Sequence, residues 1–497
     1  MQGETSMIDL TIHPEGLENA IKRARENNIV IPTFAQLRDP VNKVPEKIKK
    51  RLKNVGSWDI DPLNLFRITW KNEPTLEGAG YGDVNYIEIP SELSGVDARI
   101  FVIIGKWFPT GCHKVGASYG CLVPRLVTGQ FDPYHDWAVW PSTGNYCRGG
   151  AFNSKLLGCK SIAILPEDMS QERFDWLSHI ADEIYATPGC ESDVKEIFDK
   201  VWELRRTRPD AFIFNQFEEM GNVLWHYHAT GPAMEEVYES LKTPTSRFSA
   251  CFFTSGSGGS MSAGDYLKDQ YPRIKVSVGE ALQCPTILNN GFGGHRIEGI
   301  GDKHIPFVHN VKNTDVVCAI DDNHAVNLLR LFNTEVGHEF LKKETGVSQD
   351  FLDLLPLLGI SGIANVLGSI KLAKYFEFTK DDVIGTVATD SAEMYGSRVV
   401  EMEEAEPYTP DLATRDYWSY LASTTTDHME EFTYYTRKRV HHLKYYTWVE
   451  QQGRTMHELN DQWYDDNYWK DTRNQVHEID RLIEEFNERT GVLAAMD

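Results

Sequence analysis

The chain has 497 residues, 41% of them hydrophobic and 25% charged, enough apolar side chain for more than one core. Acidic residues outnumber basic ones by 73 to 50, and the formal net charge of -23 argues against a nucleic-acid or anionic-membrane partner. The eight cysteines form no C-x-x-C pair and end at Cys318, which argues against a disulfide framework or a zinc site and for a reducing compartment.

The opening MQGETSMIDLTIHPEG has no basic-then-apolar leader, and the longest apolar runs, such as 354–360, are too short to cross a membrane, so a cytoplasmic protein is expected. Residues 1–75 read as an N-terminal arm with a helix near 17–27 and a basic run at 43–53, expected as an exposed helix. From about 97 the pattern changes. ARIFVIIG, KSIAILP, DEIYATPG, FSACFFTSGSGGS, RIKVSVGE, DVVCAID and DDVIGTVATD read as strands. SQERFDWLSHIA, AGDYLKDQYP and the segments 323–333 and 361–375 read as helices between them. Buried strands alternating with helices predict an α/β fold: mostly parallel sheets with helices on both faces. Two such blocks are expected, a first α/β domain at 76–244 and a second at 245–400. The remainder, 401–497, is rich in aromatic and charged residues. It is expected to be a helical extension without strands, with Val476, Ile479, Leu482, Ile483 and Phe486 at helical spacing as its packing face.

Three segments carry the chemistry. PTGCHKVGA places Lys114 after a Pro-Thr-Gly turn and before small residues that can open a helix. PSTGNYCRGGA puts hydroxyls, an amide and free helix N–H groups together, a set that can hold a carboxylate. TSGSGGS follows the apolar strand SACFF, and its glycines let backbone N–H groups converge on an anion at a helix start. It lacks the Lys-Ser/Thr ending of a nucleotide-triphosphate loop. Each segment alone has an ordinary structural explanation. Their order and spacing make them specific as a set.

That layout resembles the fold-type II pyridoxal-phosphate (PLP) enzymes, the cysteine synthase and threonine synthase superfamily. LPEDMSQERFDWL, FNQFEEMGNVLWHYHATGPAMEE, GGHRIEGIG and ATDSAEMYGSR add four further similar segments, and the resemblance spans roughly 95–400. It implies two doubly wound domains of the tryptophan synthase β-like kind, PLP as cofactor, and Lys114 as Schiff-base lysine and acid–base group. It also implies that Ser142, Thr143, Gly144 and Asn145 bind the substrate carboxylate, helped by Gln216, with Asn145 reaching the cofactor's 3′-oxygen. Gly256, Ser257, Gly258, Gly259 and Ser260 would cradle the phosphate. Thr389 or Asp390 would meet the pyridine nitrogen, and a carboxylate there would keep that nitrogen protonated.

The resemblance implies a lyase or transferase acting on a small amino acid by β-elimination or β-replacement, with a homodimer expected by analogy. The length and tail also look like the PLP-bearing subunit of 2-amino-4-ketopentanoate thiolase, which uses coenzyme A and a small partner subunit; a non-catalytic PLP-fold subunit is the third alternative. Departures from the pattern are His113 before the lysine, Val115 after it, Tyr146 in the carboxylate loop and Asp390 itself. His226, His228, His295, His304 and His309 form no H-E-x-x-H pattern, so no metal is expected. His441 and His442 are expected at the surface or an interface.

Overall fold

A computed structural model describes residues 7–74, 80–190, 193–301 and 303–496. Its strands are β1 (Tyr86–Ile89), β2 (Arg99–Ile104), β3 (Trp137–Pro141), β4 (Lys160–Pro166), β5 (Glu183–Thr187), β6 (Ala211–Ile213), β7 (Arg247–Thr254), β8 (Lys275–Ala281), β9 (Val316–Ile320), β10 (Asp382–Ala388) and β11 (Met429–Glu431). They form a four-stranded sheet in the order β5-β4-β3-β6 and a seven-stranded sheet in the order β1-β2-β10-β7-β8-β9-β11. Every pair in the small sheet is parallel, and so are the inner pairs of the large one; β1 and β11 close its edges antiparallel. Parallel strands need crossovers, so helices cover both faces and the strands become apolar throughout. The burial of β10 along its whole length and of β4 after its first residue follows from this.

The strand-by-strand expectation holds for the alternation but not for how the strands are shared out. β2 pairs with β10, from Arg99 opposite Val383 to Ile104 opposite Ala388, so it belongs to the large sheet. The chain enters the large sheet, leaves to build the small one, and returns; a cut at 244/245 therefore does not separate the sheets. Apolar periodicity identifies a buried strand without identifying its neighbour. The expected boundary at 75/76 lies outside the described residues. WAVWP (β3) and AFI (β6) were not anticipated, the first being aromatic-rich and ending in proline, the second only three residues long.

The two ends of the chain also differ from expectation. The extension contributes a strand, β11, whose Met429 pairs with Cys318; three residues, one methionine and two glutamates, carry no readable period. Its longest helix, Tyr468–Thr490, does bury Val476, Ile479, Leu482, Ile483 and Phe486. That face packs on the N-terminal arm. Asp480 accepts from the amides of Phe34 and Ala35 at 2.7 and 3.1 Å, and Asn487 exchanges two hydrogen bonds with the backbone of Ile31. Arm and extension are thus one layer. The basic run forms the helix Glu46–Leu52, with Ile48 and Leu52 buried on one side. His441 is a correction to the surface reading: it is buried, with Nε2 2.9 Å from Leu459 O, whereas His442 is exposed. Seven cysteines are buried and Cys190 is half-buried. Among the described residues no single helix is long and apolar enough to cross a membrane.

Candidate active site

Lys114 is the first residue of the helix Lys114–Val127. The turn before it is unusual: Thr110 and Gly111 both have left-handed backbones, φ 69° and 67°. A β-branched residue in that region is strained and persists only where its surroundings fix it. The helix then runs close against its neighbour. A Cβ on Gly116 would fall 2.0 Å from the Trp225 ring, and one on Gly120 would fall 2.2 Å from Gly221 O. Glycine at both positions is what lets the lysine helix sit this deep.

Ser142–Gly144 leave the end of β3, and Asn145 opens the helix Asn145–Leu156. Residues 255–260 leave the end of β7 and lead into the helix Met261–Gln270. The three predicted segments meet. Lys114 Nζ donates to Ser257 Oγ at 3.1 Å and to Gln216 Oε1 at 3.2 Å, and Gln216 Nε2 donates to Ser142 Oγ at 3.3 Å. Thr143, Asn145, Gly256 and Thr389 line the same cavity. With the lysine laid across it, the enclosed space is only about 20 Å³. Among the described residues, the amides of Gly256, Ser257, Gly258 and Ser260 have no acceptor within the protein, while that of Gly259 turns to Ser257 Oγ at 3.4 Å. Free amides at a helix start, a hydroxyl and a primary amine fit a phosphorylated aldehyde.

Thr389 lines the cavity; Asp390 does not. The Asp390 carboxylate is buried and turned aside, its Oδ2 accepting from Asn145 Nδ2 at 2.7 Å and from the Tyr395 hydroxyl at 2.8 Å. Burial raises its pKa, against the pull of Arg173, Asn145, Tyr395 and Arg148. Burial likewise brings Arg148 down to about 10 and pushes the Cys112 and Cys147 thiols up to about 12, so neither thiol is a ready nucleophile. His113 packs among aromatic rings, with its ring 5.0 Å from that of His226 and 5.5 Å from that of Trp70. Burial, with the Lys114 charge second for His113, drives both imidazoles well below their ordinary pKa, so they are neutral. Tyr146 lines the cavity edge-on to Trp140. The remaining histidines are dispersed. His309 Nε2 meets Thr314 Oγ1 at 2.7 Å and His228 Nε2 meets Arg473 O at 2.9 Å, while His295 and His304 are buried elsewhere. Among the described residues no group of three metal-ligating side chains exists.

Several residues went unassigned in the sequence. Asn222 Nδ2 braces both Ser257 Oγ (3.1 Å) and Gln216 O (3.0 Å). Behind the cavity, Arg173 forms a buried ion pair with Glu298, which also accepts from Arg398 Nε at 2.8 Å, and Arg173 Nη2 donates to the Tyr395 hydroxyl at 3.3 Å. Glu172 holds Ser397 through its amide and hydroxyl at 2.7 and 2.8 Å. These residues come from MSQER, RIEGIG and EMYGSR, segments visible as landmarks but without a stated role. Their charges on three separated segments were the available signal.

Residues 109–338 match the family model described as pyridoxal-phosphate dependent enzyme. A cysteine synthase of Staphylococcus aureus is 30% identical over 315 residues, 63% of this chain and 93% of that protein. A probable cysteine synthase of Bacillus subtilis is 27% identical over 299 residues, 60% of this chain and 88% of that protein. The crystal structure of an O-acetylserine dependent cystathionine β-synthase from Helicobacter pylori shares the fold, with a TM-score of 0.52 and 24% identity, covering 63% of this chain and 94% of that one.

Proposed function

Because the chain belongs to the family of pyridoxal-phosphate dependent enzymes, we propose that it performs β-replacement or β-elimination on a small amino acid with PLP held at Lys114. Bound to a lysine, PLP supplies an electron sink for a bond broken at the substrate's Cα. The chain's own residues supply the rest. The Lys114 amine, freed from Ser257 and Gln216, would take the proton from Cα and return it to the leaving group. Ser142, the helix start at Gly144–Asn145 and the Gln216 amide hold the substrate carboxylate. The free amides of Gly256, Ser257, Gly258 and Ser260 would hold the phosphate, and Thr389, which lines the cavity, would meet the ring nitrogen.

The observation that carries this reading is the direct link from Lys114 Nζ to Ser257 and Gln216, which joins three segments far apart in sequence. The coenzyme A-dependent thiolase alternative rested on length and tail, and a carboxylate at the ring nitrogen would also have suited it. With Asp390 engaged by Asn145 and Tyr395, that support falls away. A cytoplasmic homodimer completes the proposal, and light scattering of the purified chain reads its mass.

Borohydride reduction of the protein after PLP loading should attach the cofactor to the peptide carrying Lys114. O-acetylserine with sulfide, or cysteine alone, should change the cofactor's absorbance. Protein that stays colourless with PLP, or a label on another lysine, ends this reading.

A further inference from the structure

The aromatic and charged segment after residue 430 has no part in the chemistry above, yet it grips the site from behind. Lys444 Nζ donates to Phe307 O at 3.0 Å, His309 O at 2.6 Å and Gln462 Oε1 at 2.9 Å. Gln462 Nε2 donates to the same Phe307 O at 3.0 Å, and Trp448 Nε1 donates to Ile305 O at 2.8 Å. Lys444 is fully buried. An ammonium taken out of water needs its three N–H groups met, and these three neutral oxygens meet them.

The other side of the 305–309 turn touches the site. A Cβ on Gly258 would lie 3.2 Å from the Pro306 side chain and 3.4 Å from His309 Cβ. Val308 N donates to Phe217 O at 3.3 Å, one residue from Gln216. The turn is a wedge: the carbonyls of Ile305, Phe307 and His309 and the Phe307 ring meet the extension, while the Pro306 and His309 side chains lie against Gly258. Gly258 itself has φ 75°, so its amide direction depends on what supports it from below.

We propose that Lys444, seconded by Trp448, is a positioning residue for the cofactor phosphate: it fixes the 305–309 turn, and the turn fixes the direction of the 256–260 amides. The proposal rests on the function argued above. A peg that only stabilises the fold would lower the melting temperature and leave the selectivity for the phosphate untouched. The positioning role changes that selectivity.

The test uses the full chain stripped of cofactor, titrated with PLP and separately with pyridoxal, which lacks the phosphate. Lys444→Met should weaken PLP binding about tenfold and Trp448→Phe a few-fold, the scale of one or two lost hydrogen bonds, with pyridoxal affinity unchanged in both. Equal weakening of PLP and pyridoxal, or PLP affinity within about twofold of wild type by the same scale, overturns it. Should Lys444→Met not fold, Trp448→Phe decides by the same ratio. A wild-type chain that binds no PLP overturns the proposed function and this inference together; wild-type binding with unaffected variants overturns this inference alone.

Discussion

Glu298→Gln is the most informative single change behind the site. The substitution keeps the shape but takes one carboxylate from two guanidinium groups. Arg398 is the lesser loss, because it is partly exposed and retains Glu401 at 3.0 Å. Arg173 is the greater, because its side chain is 0% exposed and Glu298 only 6%. Arg173 keeps Ser170 Oγ and the Tyr395 hydroxyl at 3.3 Å, both neutral acceptors. Removing one partner of a buried pair costs about 3–5 kcal/mol. Arg173→Met should cost less, since Glu298 still has Arg398. The double variant should then recover a coupling of at least about 1 kcal/mol, because neither charge is left buried alone. Urea denaturation of wild type, both single variants and the double variant closes the cycle. Additivity within about 0.5 kcal/mol would show that the pair is not coupled and refute the reasoning.

Gly116→Ala places a methyl inside the Trp225 ring and should cost about 1–3 kcal/mol by overpacking; thermal unfolding checks it, and an unchanged midpoint would contradict the close approach. Thr389→Val should lower kcat/KM about ten- to hundredfold, the loss of one hydrogen bond to the ring, and shift the bound cofactor's absorbance. Asp390→Asn should leave that absorbance in place, and the reverse pattern of spectra would hand the ring nitrogen to Asp390. Glu280 accepts from the amides of Ile287 and Leu288 at 2.8 and 2.9 Å, and burial pushes its pKa up to about 8. Between its unfolded pKa near 4.5 and that value the folded chain binds the extra proton, so stability falls as pH rises through this window. Glu280→Gln should flatten the wild-type slope from pH 5 to 8, and parallel stability profiles would disprove the assignment.

Much of this was legible in the sequence. Lys114, the 142–145 turn and the 256–260 loop announce themselves because glycine, hydroxyl and helix-start patterns have few other uses in that order. Thr389 and Asp390 could not be separated, since adjacent residues at a strand's end point to opposite sides and only the fold says which side holds the cavity. Arg173, Glu298 and Tyr395 stayed silent because a buried ion pair between distant segments leaves no local period. β2 was visible as a strand but not as a neighbour of β10, and β11 was invisible because three residues, two of them glutamates, are too short a run to show a period. The role of Lys444 lay in an amphipathic, aromatic stretch where composition suggests packing and nothing more.

The placement of β2 sets an order on how the molecule can be made. β3 to β6 leave the ribosome within a single run of chain, so the small sheet can assemble while synthesis continues. β2 is synthesised before all of them, yet its parallel partner, β10, emerges last but one among the strands. Until then an apolar strand waits with only the short β1 hairpinned to it, and closing that long loop is an entropic cost met late. Nascent chains halted before residue 382 therefore carry a finished small sheet beside an open, adhesive edge, the stage at which a chaperone has most to offer.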